Sequence, residues 1–363
     1  MPRRNSWPTR GRAVLPFAVV LSCSAAVAIA GCGSSSGSAS SGKPGDPPAS
    51  DQTLTLYNAQ HEQTTAALIK AFTAQTGIKV RVKSDDESVL TAQIEQEGSR
   101  SPADLFFTEN SNWLQQLDTH GLLARVDSFT LANVPAEDSA SGGDWLGVSA
   151  RFSAMIYNPG KISAAEMPAS VVDLAKPRYK GKLELAPGET DFWPIVASIE
   201  HAYGRDAARS WLQGIKSNAG SDDPTPDNET LVSDVNKGDA DMGLINHYYF
   251  YRLRDELGAG NFHAKLALFA PRDPGYVKDI SGAAILKSST HQAAAQRFLA
   301  FLTSVAGQRV LAGSTSFEYP LAKGVTPNPA LPPIGSYTPN PITPDQIGTG
   351  TDAQQLLQQA GLL

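Results

Sequence analysis

Regular patterning begins at Thr53. Leu54 and Leu56 alternate with Thr53, Thr55 and Tyr57, which is the period of a strand. Leu68, Ile69 and Phe72 then recur at helical spacing as far as Gly77, a natural stop because glycine closes a helix in the left-handed conformation. Ile78, Val80 and Val82 predict a second strand. Leu90 and Ile94 predict a second helix ending near Gly98, and Leu105-Phe106-Phe107 a short, buried third strand. This β-α-β-α-β order predicts a parallel sheet with helices on its faces.

Farther along, GVSARFSAMIY at 147–157 predicts a strand that crosses into a second block. That block carries Leu183 and Leu185, a Pro187-Gly188 turn, helices over 195–203 and around Trp211, a polar loop at 217–228 and a helix over 231–235. A strand-like run (Ala240, Met242, Leu244) leads to Ile245-Asn246-His247-Tyr248-Tyr249-Phe250-Tyr251 and a helix ending at Gly258. Strands are expected at 266–270 and 280–286, and a helix at 292–302 with an apolar face of Ala295, Phe298, Leu299 and Leu302. The proline-rich stretch 320–344 has no period and is expected to wrap over the surface. A last helix, 353–360, stops at Gly361. No internal repeat is found.

The 363 residues, 41% hydrophobic, are enough for a large core and two lobes. Ahead of Thr53, Arg3, Arg4, Arg10 and Arg12 precede an apolar stretch at 13–30, the layout of a secretory signal. It ends Ile29-Ala30-Gly31-Cys32, which resembles the bacterial lipobox. The competing reading is an ordinary cleavage site with an incidental cysteine. Residues 33–50 are Gly, Ser and Pro-rich and read as a flexible tether reaching on the order of 20–25 Å. With Cys32 lipidated and Cys23 lost with the leader, no cysteine remains for a disulfide or thiolate site. The leader takes four of the 30 Lys and Arg and no acid, so 26 basic residues face 36 acidic ones, net −10. That balance argues against nucleic acid as a partner and suits capture of a cation.

The adjacent phenols Tyr248 and Tyr249 follow a strand, where both can present oxygen to one point. Hard cations prefer such oxygen donors. His61 follows the first strand and Glu109 the third, the strand ends where open sheets collect ligands. Each residue also has a plainer reading. The tyrosines could be a core patch, His61 a capping or surface residue, and Glu109 the cap of the next helix. His247 and Tyr251 read as packing residues. None of the six histidines falls at HExxH spacing and no GxSxG elbow occurs, so the metalloprotease and α/β-hydrolase signatures are absent and no enzyme is expected.

The segments LTLYNAQHEQ (54–63), TGIKV (76–80), EGSRSPADLFFTEN (97–110), GLINHYYFYR (243–252), RDPG (272–275), SGAAILKSS (281–289) and FEYPL (317–321) resemble the periplasmic ferric-ion-binding proteins, the substrate-binding components of iron(III) ABC importers. The resemblance implies an α/β, two-lobed periplasmic-binding-protein fold of the type II, Venus-flytrap kind, each lobe a mostly parallel sheet flanked by helices. It implies Fe3+ as cargo in the cleft, held by His61, Glu109, Tyr248 and Tyr249. One carboxylate and two phenolates would bring three negative charges to a trivalent ion, leaving about two octahedral positions. Asn228 and Asn246 match asparagine positions that in the family help to hold a companion anion, and Asn110 stands where a glutamine is common; the alternative is that these residues back the ligands without touching the anion. Here Glu189 and Asp191 stand at the helix start where that anion would dock. Phosphate is therefore not expected; carbonate against Arg151, or water, is.

The expected organisation is a signal peptide at 1–31, a lipidated Cys32 and tether over 32–51, a first lobe of 52–150 plus about 271–322, and a second of 151–270 plus about 323–363. The expected protein is a lipid-anchored monomer on the extracytoplasmic face of the bacterial cell membrane, handing iron to a permease and its ATPase. The alternative is a binder of another small ligand on the same fold: an anion, thiamine or a polyamine.

Overall fold

A computed structural model describes residues 53–220 and 224–363. The expected signal, Cys32 and tether lie outside the described residues. The first block follows its apolar pattern: β1 (Thr53–Ala59), α1 (Glu62–Thr76), β2 (Lys79–Ser84), α2 (Glu87–Glu97), β3 (Leu105–Thr108) and α3 (Ser111–Thr119). Gly77 ends α1 at φ 74° with its N–H on the Thr73 carbonyl, the left-handed cap that favours glycine there. The short β4 (Leu123–Ala124) and α4 (Ser128–Leu131) lead to β5 (Trp145–Tyr157), a strand of 13 residues buried throughout.

Next come β6 (Leu183–Glu184), α5 (Trp193–Tyr203), α6 (Arg205–Asn218), α7 (Asn228–Lys237), β7 (Met242–Asn246), α8 (His247–Leu257), β8 (Lys265–Ala267) and β9 (Lys278–Leu286). The chain closes with α9 (Gln292–Leu302), α10 (Val305–Ala312), β10 (Tyr319–Pro320), α11 (Pro344–Ile347) and α12 (Thr351–Ala360). Among the described residues no helix is long and apolar enough to cross a membrane.

The hydrogen-bonded strand order is β2-β1-β3-β9-β5-β7-β6. Parallel pairing is confined to β1 with β2 and β3, and to β6 with β7. The long strands β5 and β9 pair antiparallel with every neighbour they have here. The sheet is therefore mixed rather than mostly parallel. β5 is the crossing strand: its first part, Trp145–Phe152, pairs with β9, and its second, Ser153–Tyr157, with β7. One core cluster packs α1, α9 and α10 against one face of β1, β3 and β9 through Leu56, Phe72, Phe107, Ile285 and Phe298. The larger cluster covers the opposite face with Leu90, Phe106 and Trp113, and continues under α5–α8 and α12.

One further expectation changes, and one element is added. The stretch 320–344 does not merely wrap the surface: it buries Leu331, Tyr337 and Ile342, and Tyr337 stacks on Phe152 of β5 with ring centroids 4.3 Å apart. Helix α10 had no expectation. Its start is marked by Ser304, whose hydroxyl accepts from the Gly307 N–H, the usual chemistry of a helix amino end.

Candidate metal centre

The ends of β1, β3 and β7 open on one cleft of about 630 Å³. His61 occupies the turn between β1 and α1, yet its side chain makes no capping bond. Its Nδ1 lies 3.0 Å from Glu109 Oε1. Glu109 sits just past β3, and the N-cap position of α3 belongs to Asn110, not to Glu109. The second oxygen of Glu109 accepts the Tyr248 hydroxyl at 3.3 Å. Tyr248 and Tyr249 open α8 and stack with centroids 4.0 Å apart. All four side chains line the cleft. Residues far apart in sequence thus meet, and neither His61 nor Glu109 caps a helix through its side chain.

The electrostatics are those of a cation trap. Eight lining residues are Asp or Glu, and Arg252 is the one Arg or Lys among them. Burial pushes the Glu109 carboxyl up, but His61 and then Arg151 outweigh it and hold the group down at about 2. Burial pulls the His61 imidazole down, and Glu109 more than reverses this, so its pKa lies above the ordinary value. The phenols of Tyr248 and Tyr249 sit well above 10, first from burial, then from each other's charge or from nearby carboxylates. His61 Nε2 is buried with no hydrogen-bond partner, an unused nitrogen of the kind a metal takes up. Among the described residues no cluster of three or more His, Cys, Asp and Glu side chains is arranged for a metal; any such site here depends on the tyrosines.

The residues matched to the companion-anion positions bind groups of the protein itself. Arg151 is fully buried on β5. Its guanidinium donates to Asp279 at 2.8 Å and Asn110 Oδ1 at 2.6 Å, touches Glu318 at 3.5 Å, and donates to the Glu109 carbonyl. Arg151 thus holds two carboxylates and is absent from the cleft lining, while its Nε is buried with no hydrogen-bond partner. Asn228 and Asn246 donate to the Asp191 carboxylate at 2.9 and 3.2 Å. Asn110 donates to Glu87 and Thr190 at 2.9 and 2.8 Å. These amides bind the protein's own groups.

Residues not singled out from sequence also matter. Arg252, one helical turn beyond Tyr248, lies over that phenol ring, 5.8 Å from its centroid; the i, i+4 spacing was the available signal. Glu87, at the start of α2, had none. Behind the tyrosines, His247 is fully buried. The Phe152 N–H donates to its Nδ1, so its Nε2–H faces the Phe317 carbonyl, both at 3.1 Å. This fixes the neutral tautomer and pins the start of α8 to β5.

The chain matches the family of bacterial extracellular solute-binding proteins over residues 58–309. It is 38% identical to an Fe(3+)-binding periplasmic protein of Serratia marcescens, over 86% of this chain and 91% of that one. It is 35% identical to a major ferric iron-binding protein of Neisseria meningitidis serogroup B, over 85% and 93%. Iron-bound HitA from Pseudomonas aeruginosa is similar in structure, with a TM-score of 0.80 and 40% identity, over 85% of this chain and 99% of that chain. The chain therefore belongs to the bacterial extracellular solute-binding proteins, in the family of periplasmic ferric-ion-binding proteins.

Proposed function

We propose that this protein binds Fe3+ through His61, Glu109, Tyr248 and Tyr249 and delivers it to an ABC permease and its ATPase. The observation that carries the reading is the convergence on Glu109, whose two oxygens face His61 at 3.0 Å and Tyr248 at 3.3 Å. An imidazole, a carboxylate and two phenols form a donor set suited to a hard trivalent ion. Binding replaces protons by metal and joins β1 and β3 to α8, so the cargo itself favours closure. The chemistry is ligand exchange, not catalysis.

On this reading the fold works as two lobes sharing β5 and β9, with the boundaries expected from sequence. The protein is a lipid-anchored monomer held at Cys32 on the outer face of the cell membrane. The companion ligand is water. The two carboxylates already on Arg151 favour water over carbonate. The acid lining argues against an anionic cargo.

A polyamine would also suit an acid-lined cleft with stacked tyrosines, and spectroscopy separates the two readings. Protein purified without chelators should carry iron and a visible tyrosinate-to-iron band. Glu109→Ala should lose most of the iron under the same conditions. Wild-type protein that takes up no ferric ion, and shows no band when iron is added, would end this reading.

A further inference from the structure

The turn that carries Glu189, Thr190 and Asp191 leads into α5 and packs beside β7. Its middle residue reaches across to the elements that hold Glu109. The Thr190 hydroxyl donates to Glu87 Oε2 at 2.6 Å and accepts from the Asn110 amide at 2.8 Å. Glu87 is fixed by its own side of the cleft. It accepts from the Asn110 N–H at 2.7 Å, the Asn110 amide and the Trp113 indole at 2.9 Å each, and the Thr108 hydroxyl. Of these donors only Thr190 comes from the β7 side.

Carboxyl side chains line the cleft on both sides of this contact, Glu87 and Glu109 on one and Glu189 and Asp191 on the other. The Thr190 hydroxyl, bonded to an anchored carboxylate, ties the two sides together without adding a charge. Hydrogen bonds to charged acceptors are the stronger kind.

We propose that Thr190 is a clasp, a positioning residue that fastens the Glu189–Asp191 turn to Glu87 and Asn110 and keeps the cleft closed independently of the metal. The proposal rests on the ferric reading for its cargo but not for its mechanics.

The test compares wild type, Thr190→Val and Thr190→Ser in the full chain. Three quantities are read: the rate of iron transfer to ethylenediaminetetraacetate, the position of the tyrosinate band, and the radius of gyration of the iron-free protein in solution. Thr190→Val keeps the shape and removes the hydroxyl. It should release iron about tenfold faster, the scale of one such bond, and give a larger iron-free radius, with the band unmoved. Thr190→Ser should behave as wild type. Release rate and radius equal to wild type in Thr190→Val would overturn the clasp, as would a shifted band, which would mean that the hydroxyl acts on the ligand set. If wild type itself shows no band, the ferric reading fails and the iron-free radius still tests the clasp.

Discussion

Nδ1 of His61 lies 3.0 Å from Oε1 of Glu109, and Oε2 of the same carboxylate takes the Tyr248 hydroxyl at 3.3 Å. Three of the four proposed donors are therefore linked through one carboxylate. Glu109 is held at about 2, so it is ionised across the working range and a metal does not compete with a proton for it. The competing protons sit on Tyr248 and Tyr249, whose pKa values lie well above 10, and on His61, whose pKa is raised.

Iron binding should accordingly release at least the two phenol protons at neutral pH. Groups protonated in the free protein and deprotonated in the complex make affinity rise with pH, tenfold per unit for each proton. The expected slope is about two decades per pH unit, after the competing chelator's own pH dependence is subtracted. Calorimetry in buffers of different ionisation enthalpy counts the protons directly. A count near zero would contradict phenolate ligation.

His247 gives the fold a separate acid sensitivity. Burial drives its pKa down to about 3, against about 6.5 for an exposed histidine. The unfolded chain takes up a proton below 6.5 that the folded chain refuses until about 3. Stability is thus present above 6.5 and lost as pH falls through that window, at about 1.4 kcal/mol per unit. Urea unfolding of iron-free protein between pH 6 and 4 should show this loss, and His247→Gln should remove that share of the slope.

Arg151 is ringed by Asp279, Glu318, Asn110 and the Glu109 carbonyl. Removing one member of a buried charge group strands the others. Arg151→Met should cost about 3–5 kcal/mol in urea unfolding, and Arg151→Lys less, because the charge stays while the fork is lost. A loss below about 1 kcal/mol for the methionine variant would mean that Arg151 is not what neutralises these carboxylates.

What could be read from the chain was local. Helix α9 spans the residues its apolar face predicts, and Gly77 and Gly361 end α1 and α12 in the left-handed region. The four candidate donors were singled out by the resemblance of the segments around them and by their places after strands, and all four line one cleft. Pairing between distant strands was not, since nothing near Leu105 marks Ile285 as its partner. The surroundings of Arg151 were hidden for the same reason, with Asp279 and Glu318 lying 128 and 167 residues away. Tyr337 was obscured by prolines: a segment without a period still buries an aromatic ring when a facing ring such as Phe152 receives it.

The account turns on whether Tyr248 and Tyr249 ligate iron. The most direct measurement is the visible spectrum during ferric titration of wild type beside the Tyr248→Phe, Tyr249→Phe double variant, with folding of both checked by circular dichroism. The account predicts a tyrosinate-to-iron band that saturates at one iron per wild-type chain and is missing from the double variant, which should bind iron far more weakly. A folded double variant with the same band and the same affinity would contradict it.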